Sequence, residues 1–479
     1  MATNTDRPAE TSAGAAPPID ALAWQTLFIT SVAIFLAGMD VTIVGIALPG
    51  ISSDFSGASS SELAWLFTSY NITFAALLLL GGRLGDRIGY RRAFLTGAAV
   101  FALASLLAAV APSVEVLIGG RVLQGVGSAI IYPSSLALLL GAFPVARRSL
   151  ALGVWGAMAG LGSIVAPTLG ALLVEWVGWR GVFVVNLPFV AAAAVRGWMV
   201  LRDDGPNRAM SSFDPVSVPL AAVGVAAMVL GIVQAEPWGW TDPRTIGCFV
   251  VAAVLLVAFV VRSRHHPSPL LDLELFRIRS FTVGNVVQVV AAAPLFGWVV
   301  LMPSFFQEVW GWSPLAAGVA TVPSALVGAL LSPLAGRRAD RVGHRRLVAA
   351  GCGIVALGPL WWVLLADEQP NYLWGVMPGL ALAGVGAAAC VATTTGAIMS
   401  RLPTRYYSMG GAARTTIYQL GLGVGIAIAV SIVNAGDRLT IAPYRTVWAI
   451  ATVSSLVAAV LMILLFPRRP TPSTTSREA

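Results

Sequence analysis

The chain has 479 residues and a net charge of +8, but only 11% of its residues are charged while 57% are hydrophobic. A soluble globular protein carries about 25% charged residues, so this composition excludes a soluble globular fold. The positive charge does not indicate a nucleic-acid-binding protein either, because the arginines lie in short clusters between long apolar runs.

The apolar runs have the length of membrane-spanning helices, which need about 20 residues. They follow a segment, 1–22, rich in Ala, Thr, Ser and Pro, which predicts a disordered cytoplasmic tail. The first run is a full-length span and therefore predicts an uncleaved anchor. Because the runs are too long for barrel strands, we predict an all-α integral membrane protein with fourteen spans: 24–48, 62–81, 93–111, 114–140, 149–173, 180–201, 214–235, 244–262, 280–303, 314–335, 346–366, 371–399, 408–434 and 443–466.

The arginines predict the orientation of these spans. All thirty basic residues are arginine, and arginine-rich loops stay on the cytoplasmic side of a membrane. With the N-terminus inside, 23 arginines fall on the cytoplasmic side and 4 on the other side. This distribution predicts that both termini are cytoplasmic.

One motif occurs twice, in register and 254 residues apart: "GRLGDRIGYRR" at 82–92 and "GRRADRVGHRR" at 336–346. Each copy follows the second span of a set of six, and internal duplication is a mark of secondary transporters. The repeat predicts an N-terminal six-helix half over 23–201 and a C-terminal six-helix half over 280–466. A linker with two inserted helices, 202–279, joins them, and 467–479 is a cytoplasmic tail.

Six segments in chain order resemble signature sequences of the major facilitator superfamily, in its fourteen-helix drug/proton antiporter branch. Departures from the usual pattern are Ala166-Pro167 for Gly-Pro, Ala171 for a second Gly, Tyr90 for a basic residue, and Arg338 where the first copy has Leu84. The matching segments are "MDVTIVGIALP" (39–49), "GRLGDRIGYRR" (82–92), "RVLQGVGSA" (121–129), "GAMAGLGSIVAPTLGALL" (156–173), "WRGVFVVNLP" (179–188) and "LLDLELFRIRSF" (270–281).

Ionisable residues inside spans are costly and are functional candidates by default. Asp40 is the only acid clearly inside a predicted span rather than at its end, and we interpret it as a proton carrier or, alternatively, as half of a fixed ion pair. Arg121 is expected at a similar depth; the resemblance implies a role in proton coupling, and structural bonds to backbone carbonyls are the alternative. Arg196 lies near a span end, where it can reach the interface.

The resemblance also implies a cytoplasmic gate and an antiporter motif in the fifth span. Asp86 is expected where the first motif enters the third span, facing the start of the thirteenth; a local helix cap is the alternative. Small residues at 156 and 160 are expected to let helices approach closely. The gate residues are Gly82, Asp86, Arg87, Gly89, Arg91, Arg92, Gly336, Asp340, Arg341, Gly343 and Arg414, and the antiporter motif residues are Gly156, Gly160, Pro167 and Gly170.

Aromatic and amide side chains within the spans are candidates for a substrate surface, although packing or interface anchoring is the alternative for each. Because Asp40 is the only acid clearly inside a span, we expect neutral or monocationic substrates to be preferred over dications. The candidate lining residues are Trp65, Tyr70, Phe74, Gln124, Trp155, Phe305, Phe306 and Tyr418.

The sequence argues against an enzyme, a metal site and an ATP-driven pump. Without lysine there is no phosphate-binding Gly-Lys loop, and the cysteines and histidines lack metal-ligand spacing. We therefore expect a cofactor-free, monomeric exporter of small hydrophobic compounds such as antibiotics or antiseptics, driven by protons across a bacterial plasma membrane. A dedicated exporter of one natural product in a producer organism is the alternative.

Overall fold

The computed structural model describes residues 19–202, 205 and 214–467, and these are helical with short connections. The prediction of an all-α fold is confirmed; both predicted tails fall mostly outside the described residues. The helices are α1 (Ala21–Asp54), α2 (Ser60–Ile88), α3 (Tyr90–Ala109), α4 (Val114–Ala142), α5 (Arg148–Val177), α6 (Gly181–Val184), α7 (Asn186–Val200), α8 (Ser217–Trp238), α9 (Pro243–His265), α10 (Arg279–Glu308), α11 (Pro314–Val342), α12 (His344–Leu365), α13 (Met377–Met399), α14 (Tyr407–Ala435) and α15 (Ala442–Leu465).

Thirteen segments of the described chain are long and apolar enough to cross a membrane. They coincide with thirteen of the fourteen predicted spans. The remaining predicted span, 149–173, coincides with the 30-residue α5, which is not among the thirteen. The count of fourteen therefore stays a prediction, while a multi-pass membrane protein is established.

Local sequence signals explain where several helices begin. Ser59 caps α2 and forms a reciprocal capping box with Glu62. Ser113 accepts a hydrogen bond from Val116 N–H and so caps α4. The predicted sixth span is divided into α6 and α7 at Val185, which places Asn186 at the start of α7.

The helices pack in the same pattern in each half. In the first half α1 lies along α5, while α2 and α3 lie along α4. Their counterparts repeat this arrangement, since α10 lies along α14, and α11 and α12 lie along α13. Between the halves, α5 packs against α11 and α14 packs against α2.

The inserted helices form a pair of their own. α8 packs along α9, and α8 also contacts α2 and α14. Asp214, just before α8, accepts hydrogen bonds from Arg262 of α9, one of them 2.9 Å long. The bond from Arg262 holds the pKa of Asp214 well below its usual range, which ties this loop to α9.

Candidate functional site

An ion pair between α1 and α4 is sealed inside the N-terminal half. Asp40 is 0% exposed and Arg121 is 1% exposed. Arg121 Nη1 lies 2.5 Å from the Asp40 carboxylate, and Arg121 Nε donates to the Leu66 carbonyl at 2.9 Å. The two residues lie at the same depth, as expected from the sequence. Arg121 therefore makes the backbone-carbonyl bond of the structural alternative and also pairs with Asp40, while its role in proton coupling stays a prediction.

Three neutral side chains complete the network. Gln124 accepts from Arg121 Nη1 at 2.7 Å, and its amide donates to Asp40 at 3.4 Å and to Ser105 at 2.8 Å. Asn186 at the start of α7 also donates to Asp40, at 3.4 Å. The Asn186 side-chain oxygen has no hydrogen-bond partner among the described residues. Asp40 thus accepts from three different side chains, which is the arrangement that a buried carboxylate requires.

A tyrosine connects this network with a large cavity. The Arg121 guanidinium lies 4.5 Å above the ring of Tyr70, whose hydroxyl donates to Ser128 at 3.1 Å. The ring of Tyr70 stacks on Phe74, with 6.1 Å between centroids, and both side chains line the cavity. Protonation of Asp40 would therefore change the electrostatic surroundings of a residue that touches the cavity.

The cavity has a volume of about 510 Å³ and is shared by both halves of the protein. A volume of this order suits a drug-sized molecule. Its walls come from α1, α2, α4 and α5 on one side and from α10, α11, α13 and α14 on the other. Of the predicted substrate-lining residues, the structure places four on this wall: Tyr70, Phe74, Trp155 and Tyr418.

The other four predicted lining residues lie elsewhere. Gln124 belongs to the ion-pair network, and Trp65 is partly buried but is not on the cavity wall. Phe305 and Phe306 are fully buried in an aromatic cluster with Trp310, because this end of α10 packs against α15. Their role as substrate contacts is therefore corrected to core packing.

The first copy of the repeated motif lies inside α2 and α3, not in a loop. Asp86 is in the last turn of α2, where it accepts from the Tyr90 hydroxyl at 3.0 Å and lies 3.8 Å from Arg83 Nη1. From the sequence, Asp86 is expected to face the start of the thirteenth span, which is α14. The contact with α14 is made instead by the Gly82 carbonyl, which accepts from the Ser408 hydroxyl at 2.8 Å. The second oxygen of Asp86 has no hydrogen-bond partner among the described residues.

The second copy makes the equivalent contact with α5, the counterpart of α14. Asp340 accepts from the Leu150 backbone N–H at 3.2 Å, in the first turn of α5, where a carboxylate is favourable. A Cβ atom added to Gly336 would lie 2.3 Å from the Ser149 carbonyl oxygen. Each motif copy therefore rests on the first turns of a helix from the other half.

The glycine that ends each motif helix adopts the same backbone conformation in both copies. Gly89 has φ 93° and ψ 143°, and Gly343 has φ 91° and ψ 144°. These values lie in the region that glycine alone adopts readily. Among the motif arginines, Arg91 donates to the Trp198 carbonyl, whereas the side chains of Arg87, Arg92 and Arg341 are exposed.

Comparison with known proteins decides the family. The family model of the Major Facilitator Superfamily matches residues 30–273 and 285–479. The chain belongs to the Major Facilitator Superfamily. It is therefore a transporter of the major facilitator fold, and the resemblance seen in the sequence motifs is confirmed at the level of the superfamily.

Relatives in this superfamily include the tetracenomycin C resistance and export protein of Streptomyces glaucescens, 33% identical over 89% of this chain and 79% of that protein. The multidrug resistance protein Stp of Mycobacterium tuberculosis is 32% identical over 88% of this chain and 77% of that protein. The human organic anion transporter MFSD10 has a similar structure, with a TM-score of 0.69 at 16% identity over 93% of this chain and 100% of that one. At that identity the likeness concerns the fold alone.

Within the superfamily fold, the glycines of α5 have two different roles. Gly156 and Gly160, expected to permit close helix contact, instead line the cavity: among the described residues, nothing beyond their own stretch of α5 lies within 4 Å of an added Cβ. The close approaches are made by Gly162 and Gly170, which face α1: an added Cβ would lie 2.2 Å from the Phe35 carbonyl oxygen and 2.8 Å from Ile43. The side chain of Pro167 lies outside the described residues.

Several cavity and network residues were not predicted from the sequence. Asn186 could have been found as the single amide within the apolar segment "VFVVNLPFV". Phe296 and Trp298 gave no signal, because every residue of α10 from 289 to 303 is apolar. Arg414, which we assigned to the gate, lines the cavity and lies 5.9 Å above the Tyr418 ring.

Proposed function

We propose that this transporter is a proton-coupled exporter of small hydrophobic compounds, located in a bacterial plasma membrane with both termini in the cytoplasm. The observation that carries the proposal is the buried Asp40–Arg121 pair, which Tyr70 separates from a drug-sized cavity. The relatives named above are resistance and export proteins, which supports export of small molecules.

The proposed coupling depends on the balance of charge between Asp40 and Arg121, which are both buried. With Asp40 ionised, its negative charge balances Arg121, and Gln124 and Asn186 satisfy the remaining lone pairs. A proton on Asp40 leaves the arginine without its counter-charge, and an unpaired buried charge is strongly unfavourable. Arg121 must then find other acceptors, and Tyr70, under the guanidinium, transmits this change to the cavity.

Alternating access follows from the packing of the two halves. The repeated motifs hold α2 against α14 and α11 against α5 at one end of the cavity. Opening that end requires the Gly82–Ser408 and Asp340–Leu150 contacts to separate. We infer that proton transfer at Asp40 and rocking of the halves are linked steps of one transport cycle.

The test uses everted membrane vesicles from a host that lacks its own drug exporters. Acidifying the vesicle lumen should drive accumulation of a fluorescent hydrophobic dye by the wild-type protein, and a proton uncoupler should abolish that accumulation. Dye accumulation that is unaffected by the uncoupler would contradict proton coupling. No dye accumulation and no growth protection against any of a panel of hydrophobic antibiotics would contradict export itself.

A dedicated exporter of one natural product is the second candidate. The similarity to the tetracenomycin C resistance and export protein favours it. The same antibiotic panel distinguishes the candidates, since a dedicated exporter would protect against one structural class of compound only.

A further inference from the structure

One charged side chain lines the cavity within the described part of the chain, and it is a cation. Arg414 projects from α14 and is 3% exposed. The ion pairs among the described residues do not include it. A buried charge is stable only when it is paired and hydrogen-bonded, so this guanidinium lacks the partner that a buried cation normally has.

The groups that meet Arg414 in the described part of the chain are all neutral. Its guanidinium meets the Tyr132 hydroxyl, lies over the ring of Tyr418, and is 3.5 Å from the Thr415 hydroxyl. Its Nε atom has no acceptor among the described residues. Asp40 is not on the cavity wall and is already bound to Arg121.

Two other lining side chains also have unsatisfied N–H groups. The indole nitrogens of Trp155 and Trp298 are buried without a hydrogen-bond acceptor among the described residues, and they come from opposite halves of the protein. One lining acceptor, the side-chain oxygen of Gln288, is unsatisfied as well. The cavity therefore has a surplus of donors, which a ligand rich in acceptor oxygens would satisfy.

The rest of the wall suits a flat aromatic molecule. Tyr132 and Trp155 meet edge to face with 5.1 Å between centroids, and Phe296 and Tyr418 do so at 6.2 Å. These pairs lie in the same cavity as Arg414. Aromatic surfaces with a few placed polar groups are typical of sites for drug-sized ligands.

From this arrangement we propose that the cavity binds aromatic compounds carrying a carboxylate or phenolate, with Arg414 as the counter-charge and the indoles of Trp155 and Trp298 as neutral donors. The proposal rests on the proposed export function and assigns its substrate class. It replaces our sequence-based expectation of neutral or monocationic substrates, which assumed that Asp40 faces the substrate.

The test is equilibrium binding of two dyes that share the xanthene ring system, monoanionic fluorescein, as its methyl ester, and a monocationic rhodamine methyl ester. The full-length protein in lipid nanodiscs is titrated at a mildly alkaline pH, and fluorescence anisotropy reports binding. Wild-type protein should bind fluorescein more tightly than the rhodamine. Loss of a charge-assisted hydrogen bond weakens binding by about tenfold or more, so Arg414→Gln should do this to fluorescein while changing rhodamine affinity by less than about threefold.

Two further variants distinguish the effect of the Arg414 charge on binding from an effect on folding. Arg414→Lys keeps the charge and should retain part of the fluorescein affinity, whereas the exposed Arg264→Gln should bind both dyes as wild type does. Rhodamine binding as tight as that of fluorescein, no fluorescein binding, or equal loss of both dyes in Arg414→Gln would each overturn the proposal. Dye binding is measured without a proton gradient, so its outcome does not depend on the vesicle assay. A failure of proton-coupled export and a failure of anion binding can therefore be told apart.

Discussion

At the scale of single residues, the Asp40–Arg121 pair combines burial, charge and hydrogen bonding in a way that can respond to a proton. The pair is enclosed by Gln124, Ser105 and Asn186, so a change in charge at Asp40 is felt by side chains on α3, α4 and α7. In a low-dielectric setting such networks act as units. A single substitution in this network should therefore impair coupling, and one that leaves a buried charge unpaired should also lower stability.

Asp40→Asn should abolish proton-driven export while leaving the protein in the membrane. Asparagine has almost the same shape and fixes position 40 in the neutral form that protonation produces, so the proton-dependent step is lost. The measurement is dye accumulation in everted vesicles under a pH gradient. The exposed helix cap Asp20→Asn is the control, since asparagine caps a helix as well as aspartate. Export by the Asp40 variant that still rises with the gradient would remove Asp40 from the coupling mechanism.

Arg121→Ala should impair transport and also lower the thermal unfolding temperature. Removing one partner of a buried ion pair typically costs about 3–5 kcal/mol, because the other charge is left unpaired. Arg121→Lys should restore transport only in part, since an ammonium lacks the fork that reaches Asp40, Gln124 and Leu66 together.

The double variant Asp40→Asn/Arg121→Gln separates the two effects of Arg121. It contains no unpaired charge, so it should unfold at a higher temperature than Arg121→Ala and yet remain inactive in export. A double variant that transports would show that the ion pair only stabilises the fold. Thermal unfolding of detergent-solubilised protein and the vesicle assay provide the two readouts.

At the scale of helices, α5 shows how one run of glycines serves two purposes. Gly162 lies where α1 crosses, and Gly156 faces the open cavity. Gly162→Ala should lower the unfolding temperature because the new methyl group would overlap the Phe35 carbonyl oxygen. Gly156→Ala should leave stability unchanged or raise it, since alanine favours the helix by about 1 kcal/mol. Equal destabilisation by both substitutions would contradict this assignment.

The helices themselves could be predicted from the sequence, whereas their rotation could not. The length of an apolar run and the positions of the arginines that flank it are local properties of the sequence. The spans and the repeated motif could therefore be predicted. In lipid, however, the outward face of a helix is as apolar as its inward face, and hydropathy does not indicate which side meets a cavity. For this reason the sequence predicts Phe305 on the cavity wall, Gly156 at a helix contact and Arg414 at the gate, and the structure corrects all three. Asp40 and Arg121 were found because charge inside a span is rare.

At the scale of the whole molecule, the two halves contact each other through the repeated motifs, each of which packs against a helix of the other half. Gly336 has no room for a side chain beside Ser149. Gly336→Leu should therefore force α11 away from α5 and favour opening at the motif end. The measurement is labelling of a cysteine introduced at Ser332, which lines the cavity, by an impermeant maleimide added to everted vesicles.

The background for this labelling has Cys248, Cys352 and Cys390 replaced by serine. Gly353→Leu is the matched control, because in the part of the chain that the structure describes nothing beyond its own stretch of α12 lies within 4 Å of a Cβ at that position. Faster labelling in Gly336→Leu alone is the expected result. Labelling at the same rate in the two variants would mean that the motif contact does not close this end.

The positive charge of Arg414 in the cavity bears on how the membrane voltage could drive export. A cell interior is negative, so an anion accompanied by Arg414 is pushed outward by the membrane voltage when it is released. If one proton enters for each monoanion that leaves, two elementary charges move in the favourable direction. At about 2.3 kcal/mol per charge for each 100 mV, the voltage alone supplies about 4.6 kcal/mol. That energy sustains a concentration ratio of about 2,000 across the membrane, so such an exporter would keep working in surroundings with no pH difference at all.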